Sequence, residues 1–325
     1  MTGNLTDVMG INLVGKGLTV KQKDNKIIVE NKQGIKIEFN SNACYENATI
    51  EQKGKKLYIS NFKAEDKPAN LFDVKGTAER DQIFVTDCDL NSIKTLESGD
   101  LIELKNSTAK NIDLGMDTNG NKIDELYLDN SSITGTKEEA GCIKTNELSA
   151  LNSSLENVKI QGSNNNVTIE NSKLENCNIK TKCLNIQNSK VKNNIINTWY
   201  GLIYNSWLND TKVHSNNLDL VKTNSADSSY DSKVDIYLEE TKSTNDNITA
   251  EEGVIVYNET ELNNTQVVTD SLQSEQNATV KNSDLKVKYL LKLNNSNFTN
   301  NNIDVEKNTV FEVNKKTKFE NNNVK

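Results

Sequence analysis

The sequence predicts an all-β protein of stacked coils, a β-solenoid preceded by a small N-terminal β-meander. Three observations lead there. A short apolar motif recurs along most of the chain. Asparagine fills 52 of 325 positions while proline occurs once, at Pro68. Helical heptads are absent. Asparagine is the non-glycine residue that best tolerates the left-handed backbone region. A chain so rich in it turns often, with a side chain that donates and accepts hydrogen bonds. The hydrophobic content of 34% lies below the roughly 45–50% of an average globular chain. Ile, Leu and Val nevertheless recur too regularly for a disordered tail. Collagen, coiled coil and helical bundle are excluded as main architectures.

Residues 1–56 differ from the rest. Leu18-x-Val20, Ile27-Ile28-Val29 and Ile35-x-Ile37-x-Phe39 read as strands separated by Asp24-Asn25 and Lys32-Gln33-Gly34, both turn signals. They form a β segment that caps the first coil or attaches the solenoid to something. Residues 57–325 carry the repeat, apolar-x-apolar-x-Asn-Ser/Thr-x-apolar. Clear copies start at Ile102, Leu126, Leu148, Val167, Leu184, Ala278 and Leu291. Looser ones start near Leu57, Ile83, Leu202, Leu218, Ile236, Val254 and Phe311, with Asp87 in the Asn place of the copy at Ile83. The distal half recurs too: Leu155-Glu156-Asn157-x-x-Ile160 matches Leu174-Glu175-Asn176-x-x-Ile179.

Apolar residues at i and i+2 share one face of a strand, so each unit supplies a short strand with one apolar edge. Asn then turns the chain, and Ser or Thr bonds the backbone at the corner. A second short strand follows with its own inward Leu or Phe. One coil cannot bury its apolar face alone, but stacked coils make a continuous core and place Asn above Asn. About fourteen rungs, roughly 16 to 26 residues apart, are expected. From about residue 57 onward this repeat resembles the right-handed parallel β-helix (pectate-lyase-like) superfamily, and among its members the bacteriophage virion β-helix proteins of tail-fibre and spike type. The resemblance implies the fold and, through the phage members, a homotrimer.

Composition narrows the partners. The formal net charge of −8 disfavours nucleic acid, whose phosphates call for a basic stripe. No apolar run approaches the ~18 residues of a membrane span, so membrane insertion is not expected. The first residues lack the basic start of a secretory signal. Cys44, Cys88, Cys142, Cys177 and Cys183 are odd in number and form no CxxC pair, which fits free thiols in a reducing compartment.

The chemistry-bearing motifs are sparse. Asp117, Asn119 and Asn121 resemble the start of a calcium loop, but Lys122 stands where glycine belongs and Leu128 where the acid belongs. A hairpin turning at Asn119-Gly120 competes with that reading. Polygalacturonase-like members of the superfamily share Asn-Thr-Asp, Asp-Asp, Gly-His-Gly and Arg-Ile-Lys segments; none occurs here. Lyases need an arginine base or its equivalent, and Arg80 is the sole arginine. Two carboxylates suitably spaced still hydrolyse glycosides, which makes Asp87, Asp89 and Asp113 the catalytic candidates if the chain is an enzyme. Asp235, Glu239 and Glu240 form a second acidic patch, and His214 is the only histidine. Trp199, Tyr200, Tyr204 and Trp207 concentrate the aromatics, as a packing or subunit contact or a glycan platform.

These features lead to the expectation of a non-enzymatic structural or attachment protein without a cofactor. It would be a bacteriophage tail fibre, spike or capsid appendage, made in the host cytoplasm, located in the virion and binding a partner or host surface glycan. The last repeat copy ends one residue before Lys325, so a partner or another subunit is expected over that edge. The alternative is a tailspike-type polysaccharide depolymerase using surface carboxylates.

Overall fold

A computed structural model describes residues 10–32, 34–64, 67–75, 82–91, 95–97, 100–111, 113–114, 123–136, 141–162, 166–314 and 316–325. Strand makes up 69%, no helix occurs among the described residues, and stacked parallel coils form a β-solenoid of about 12 turns. The chain divides into two compact units, Met1–Lys173 and Leu174–Lys325.

In the first unit an antiparallel set comes first. Thr19–Lys23 pairs with Lys26–Glu30, which pairs with Lys36–Asn40, which pairs with Lys67–Lys75. Asp24, at φ 55°, turns the first of these hairpins. Thr49–Lys53 and Lys56–Ser60 form a further hairpin, turned at Gly54 (φ 61°). Phe39, Tyr45 and Phe62 pack together inside, with centroids 4.5–5.3 Å apart, and all three are buried. Parallel stacking then takes over: Leu57, Ile83, Ile102, Leu126, Leu148 and Val167 stand in one register.

The second unit shows one coil in full. Asn217–Val221 forms the first face, Lys222-Thr223 a corner, Asn224–Ala226 the second face, Asp227-Ser228 a corner, and Ser229–Ser232 the third face. After a bend at Lys233-Val234 the next coil begins with Asp235–Glu239. The first-face register runs Leu184, Gly201, Leu218, Ile236, Val254, Leu272, Leu291 and Phe311. Inward Ile, Leu and Val alternate with outward polar residues along each strand. Each fully buried side chain of this kind contributes ~1.5–3 kcal/mol.

Two details of the repeat differ from the sequence reading. The copy at Ala278 falls on the second face, on Thr279–Lys281, because both corners use the same Asn-Ser signature. The first-face strand of that coil is the segment around Leu272, whose second inward residue is the fully buried Ser274. In the coil near Leu202 the inward residues are Gly201 and Ile203, and Leu202 faces out. A Cβ at Gly201 would come within 3.0 Å of Leu218 Cδ1, which explains the missing side chain.

The corners explain the composition. Asn106, Asn130, Asn152 and Asn171 in the first unit, and Asn188, Asn205 and Asn295 in the second, all have positive φ. Their amides join along the stack: Asn130 Nδ2 donates to Asn106 Oδ1 at 2.9 Å and Asn205 Nδ2 to Asn188 Oδ1 at 2.7 Å. Just inside runs a buried ladder. Ser107, Ser131 and Ser153 each donate their backbone N–H to the hydroxyl of the next coil's serine, at 3.2, 3.1 and 2.9 Å.

Candidate functional site

Asp87 sits at a corner with φ 54°, between the first face and the second. Its Oδ1 accepts from Asn106 Nδ2 at 3.1 Å. Asp89 lies beyond the corner on the second-face strand Asp89–Asn91, and its carboxylate accepts from the Thr108 hydroxyl of the next coil. Although only two residues apart, the two therefore do not share a strand face, because the chain bends between them. Asp113 belongs to the third-face strand Asp113–Leu114, opposite Cys142. The calcium candidates Asp117, Asn119 and Asn121, and Arg80, lie outside the described residues. Among the described residues no cluster of three or more His, Cys, Asp or Glu could hold a metal ion. His214 Nδ1 lies 3.3 Å from Asp231 Oδ2 on the solvent side of the third face.

The aromatic segment wraps around the coil. Trp199 is at the bend into the first face and Trp207 begins the second-face strand Trp207–Asn209; they are 62% and 59% exposed. Between them, on the outward side of the first face, stand Tyr200, Leu202 and Tyr204. Neighbouring coils extend this surface with Asp219 and Val221, then Asp235, Tyr237 and Glu239, then Ile255 and Tyr257. The outward positions of the other two faces are mostly Asn, Lys, Thr and Asp. This strip is therefore a concentration of outward aromatic and aliphatic side chains on the second unit's first face.

Its polar groups are interlinked. The Tyr200 hydroxyl donates to Asp219 Oδ2 at 2.6 Å, and that bond, with partial burial, pushes the phenol up to about 12. Burial and the adjacent Glu239 push Tyr237 up to about 12 as well. Its hydroxyl lies 3.4 Å from Glu239 Oε2. Both phenols therefore stay neutral at physiological pH, beside carboxylates that keep the strip acidic. The sequence signalled its parts separately, the aromatics at 199–207 and the acids at 235–240. The register that joins them through Asp219 was not readable from either.

A hollow of about 240 Å³ opens where the strands at 247–257, 266–275 and 284–294 shift register at the bend. The charges on its rim include Lys288 and Asp270, 3.9 Å apart.

The fold and these surfaces define a β-solenoid with a polar corner ladder and one aromatic, acidic strip. Comparison with protein-family models, curated proteins and solved structures gives no match.

Proposed function

We propose that this chain is a non-enzymatic structural or attachment protein, a solenoid that presents outward side chains to a partner. The observation that carries the reading is the use of Asp87 and Asp89. Both carboxylates accept hydrogen bonds from the next coil, a role that ties successive coils together and engages the oxygens that acid–base chemistry would need. The finer proposal is a bacteriophage virion component (tail fibre, spike or capsid appendage) that forms a homotrimer. Its support is the resemblance of the repeat to phage β-helices, an argument by analogy of fold.

Two measurements test this. Light scattering should give a mass three times that of the 36.3 kDa chain; a monodisperse monomer removes the trimeric part of the proposal. Incubation with bacterial surface polysaccharides at high protein concentration should release no reducing ends. Release that Asp87→Asn or Asp89→Asn abolishes would replace the reading with a depolymerase.

A further inference from the structure

Four outward rings in this protein lie under its own lysines. In the first unit Tyr58 and Phe84 stack on paired strands, 5.0 Å apart, with Lys53 5.5 Å above Tyr58 and Lys56 5.6 Å above Phe84. In the second unit Lys222 lies 5.9 Å from the Tyr204 ring and Lys288 4.4 Å from that of Tyr289. A cation over such a ring is stabilising by ~0.5–1 kcal/mol at an exposed site.

Tyr237 and Tyr257 form a comparable pair on paired strands, with ring centroids 6.2 Å apart. Among the described residues no lysine or arginine lies over either ring. Carboxylates stand there instead: Glu239 beside Tyr237, Asp219 opposite Tyr237 in register, and Asp235 on the same strand. The nearby Lys222 is engaged with Tyr204 and, at 3.7 Å, with Glu240. Rings and carboxylates without a cation of their own make a surface complementary to one supplied from outside.

We infer that the strip formed by Tyr200, Asp219, Tyr237, Glu239 and Tyr257 docks a lysine-bearing, extended segment of a partner protein. The inference deepens the attachment reading and rests on it for the existence of a partner. Adjacent coils are ~4.8 Å apart and alternate residues of a strand ~6.7 Å apart, so the Asp219 and Glu239 positions are separated by roughly 8 Å. Lysines at i and i+2 of an extended segment are spaced ~6.7 Å and reach both carboxylates through flexible stems. The surface is open and shallow, so an extended segment covers it better than a single small amine. The contact is partly exposed and therefore weakens with salt.

The test is calorimetric titration of the full chain with a decapeptide alternating Lys and Ala, at low and at high ionic strength. Saturable binding that weakens with salt is expected. Asp219→Asn combined with Glu239→Gln, near-isosteric on an outward face, should weaken it by about tenfold or more. Tyr257→Leu should weaken it too, with the charges unchanged. The control Asp231→Asn with Glu261→Gln removes two charges from the other two faces and should stay within about twofold of the parent. Absence of saturable binding at low salt overturns the inference, as does equal weakening by both double variants. A neutral glucose oligosaccharide bound at the strip in place of the peptide would reassign the surface to sugar. A self-associated species that only the strip variant dissolves would reassign it to a second copy. Polysaccharide cleavage would sink the attachment reading while leaving a positive peptide titration in place.

Discussion

In the first unit the buried corner position holds Ser107, Ser131, Ser153 and Ser172. Each hydroxyl donates to a carbonyl two residues back, at 2.6–2.9 Å, and accepts a backbone N–H from the preceding coil. In the second unit the corner after the second face fills the same role with Asn194, Ser228, Asp246, Ser283 and Asn301. What the position demands is an acceptor aimed at the N–H above it; hydroxyl, amide and carboxylate all qualify. The difference lies in charge. Asp246 is 1% exposed, and its carboxylate accepts from the Ser228 N–H at 2.7 Å and the Ser243 hydroxyl at 2.6 Å. Buried Tyr230, hydrogen-bonded to Ser225, lies on the same side. A ladder of neutral groups has accepted one ionisable member.

The largest effect that separates the two ladders comes from deleting their acceptors. Asp246→Ala leaves the buried Ser228 N–H unpartnered, at ~1–3 kcal/mol, and strips the Ser243 hydroxyl of its short bond, leaving it only Thr265 Oγ1 at 3.4 Å, whereas Ser131→Ala orphans the single N–H of Ser107. Denaturant midpoints at constant slope should therefore fall further for Asp246→Ala. Equal losses would mean that the Asp246 carboxylate adds nothing beyond one ladder bond.

Asp246→Asn sharpens the same contrast through pH. Burial pushes the Asp246 carboxyl above its usual range, against hydrogen bonds from Ser243, Ser228 and Ser225 that lower it. The inward titratable neighbours are Tyr230 and, through its field, Asp227. A carboxyl whose folded value is raised contributes its stabilisation fully below the unfolded value and loses it as pH rises through the folded one. Asparagine already serves this role at 194 and 301, where its Nδ2 donates to backbone carbonyls. The stability of Asp246→Asn relative to the parent should therefore rise from acid to neutral pH. A flat difference across that range would show that burial does not control this group.

The outer corners offer a smaller contrast. Asn130 holds φ 49° in the first unit, while Lys222 and Glu240 hold φ 52° and 47° in the second. Asn130→Ala should cost ~1–2 kcal/mol, the usual penalty of the left-handed region for a residue with a Cβ and no local hydrogen bond. Lys222→Asn should gain a fraction of that penalty, because asparagine tolerates the left-handed region, less whatever its contacts with Tyr204 and Glu240 supply. Thermal unfolding midpoints shifting in opposite directions would bear this out.

The repeat was legible wherever both inward residues were large and apolar and the corner was Asn, as at Leu126-x-Leu128-x-Asn130. It faded where Ser274 took an inward place, where Gly201 made room for Leu218, and where Lys222 and Glu240 took corners. Each keeps the backbone geometry while breaking the pattern of residue types. Asp246 was invisible because nothing in its own segment, between Asn245 and Asn247, marks it as buried, and only stacking buries it. The aromatic, acidic strip was half legible, since composition shows which residues cluster along the chain but not which meet across coils, as Tyr200 and Asp219 do 19 residues apart.

The smallest effect is expected at Asp87, where structural and catalytic readings diverge most. Asparagine tolerates the same φ, fills this corner at 106, 130, 152 and 171, and keeps an oxygen that can accept from Asn106. Asp87→Asn should therefore leave stability within about 0.5 kcal/mol, the range of a surface substitution away from special features. Asp87→Ala loses both the acceptor and the local tolerance for φ 54°, and should fall by ~1–2 kcal/mol. A catalytic carboxylate would show itself in turnover instead: Asn and Ala would abolish it equally, whatever their ranking in stability. Measuring both variants for stability and for reducing-end release separates the roles, because only a corner residue makes asparagine the benign replacement.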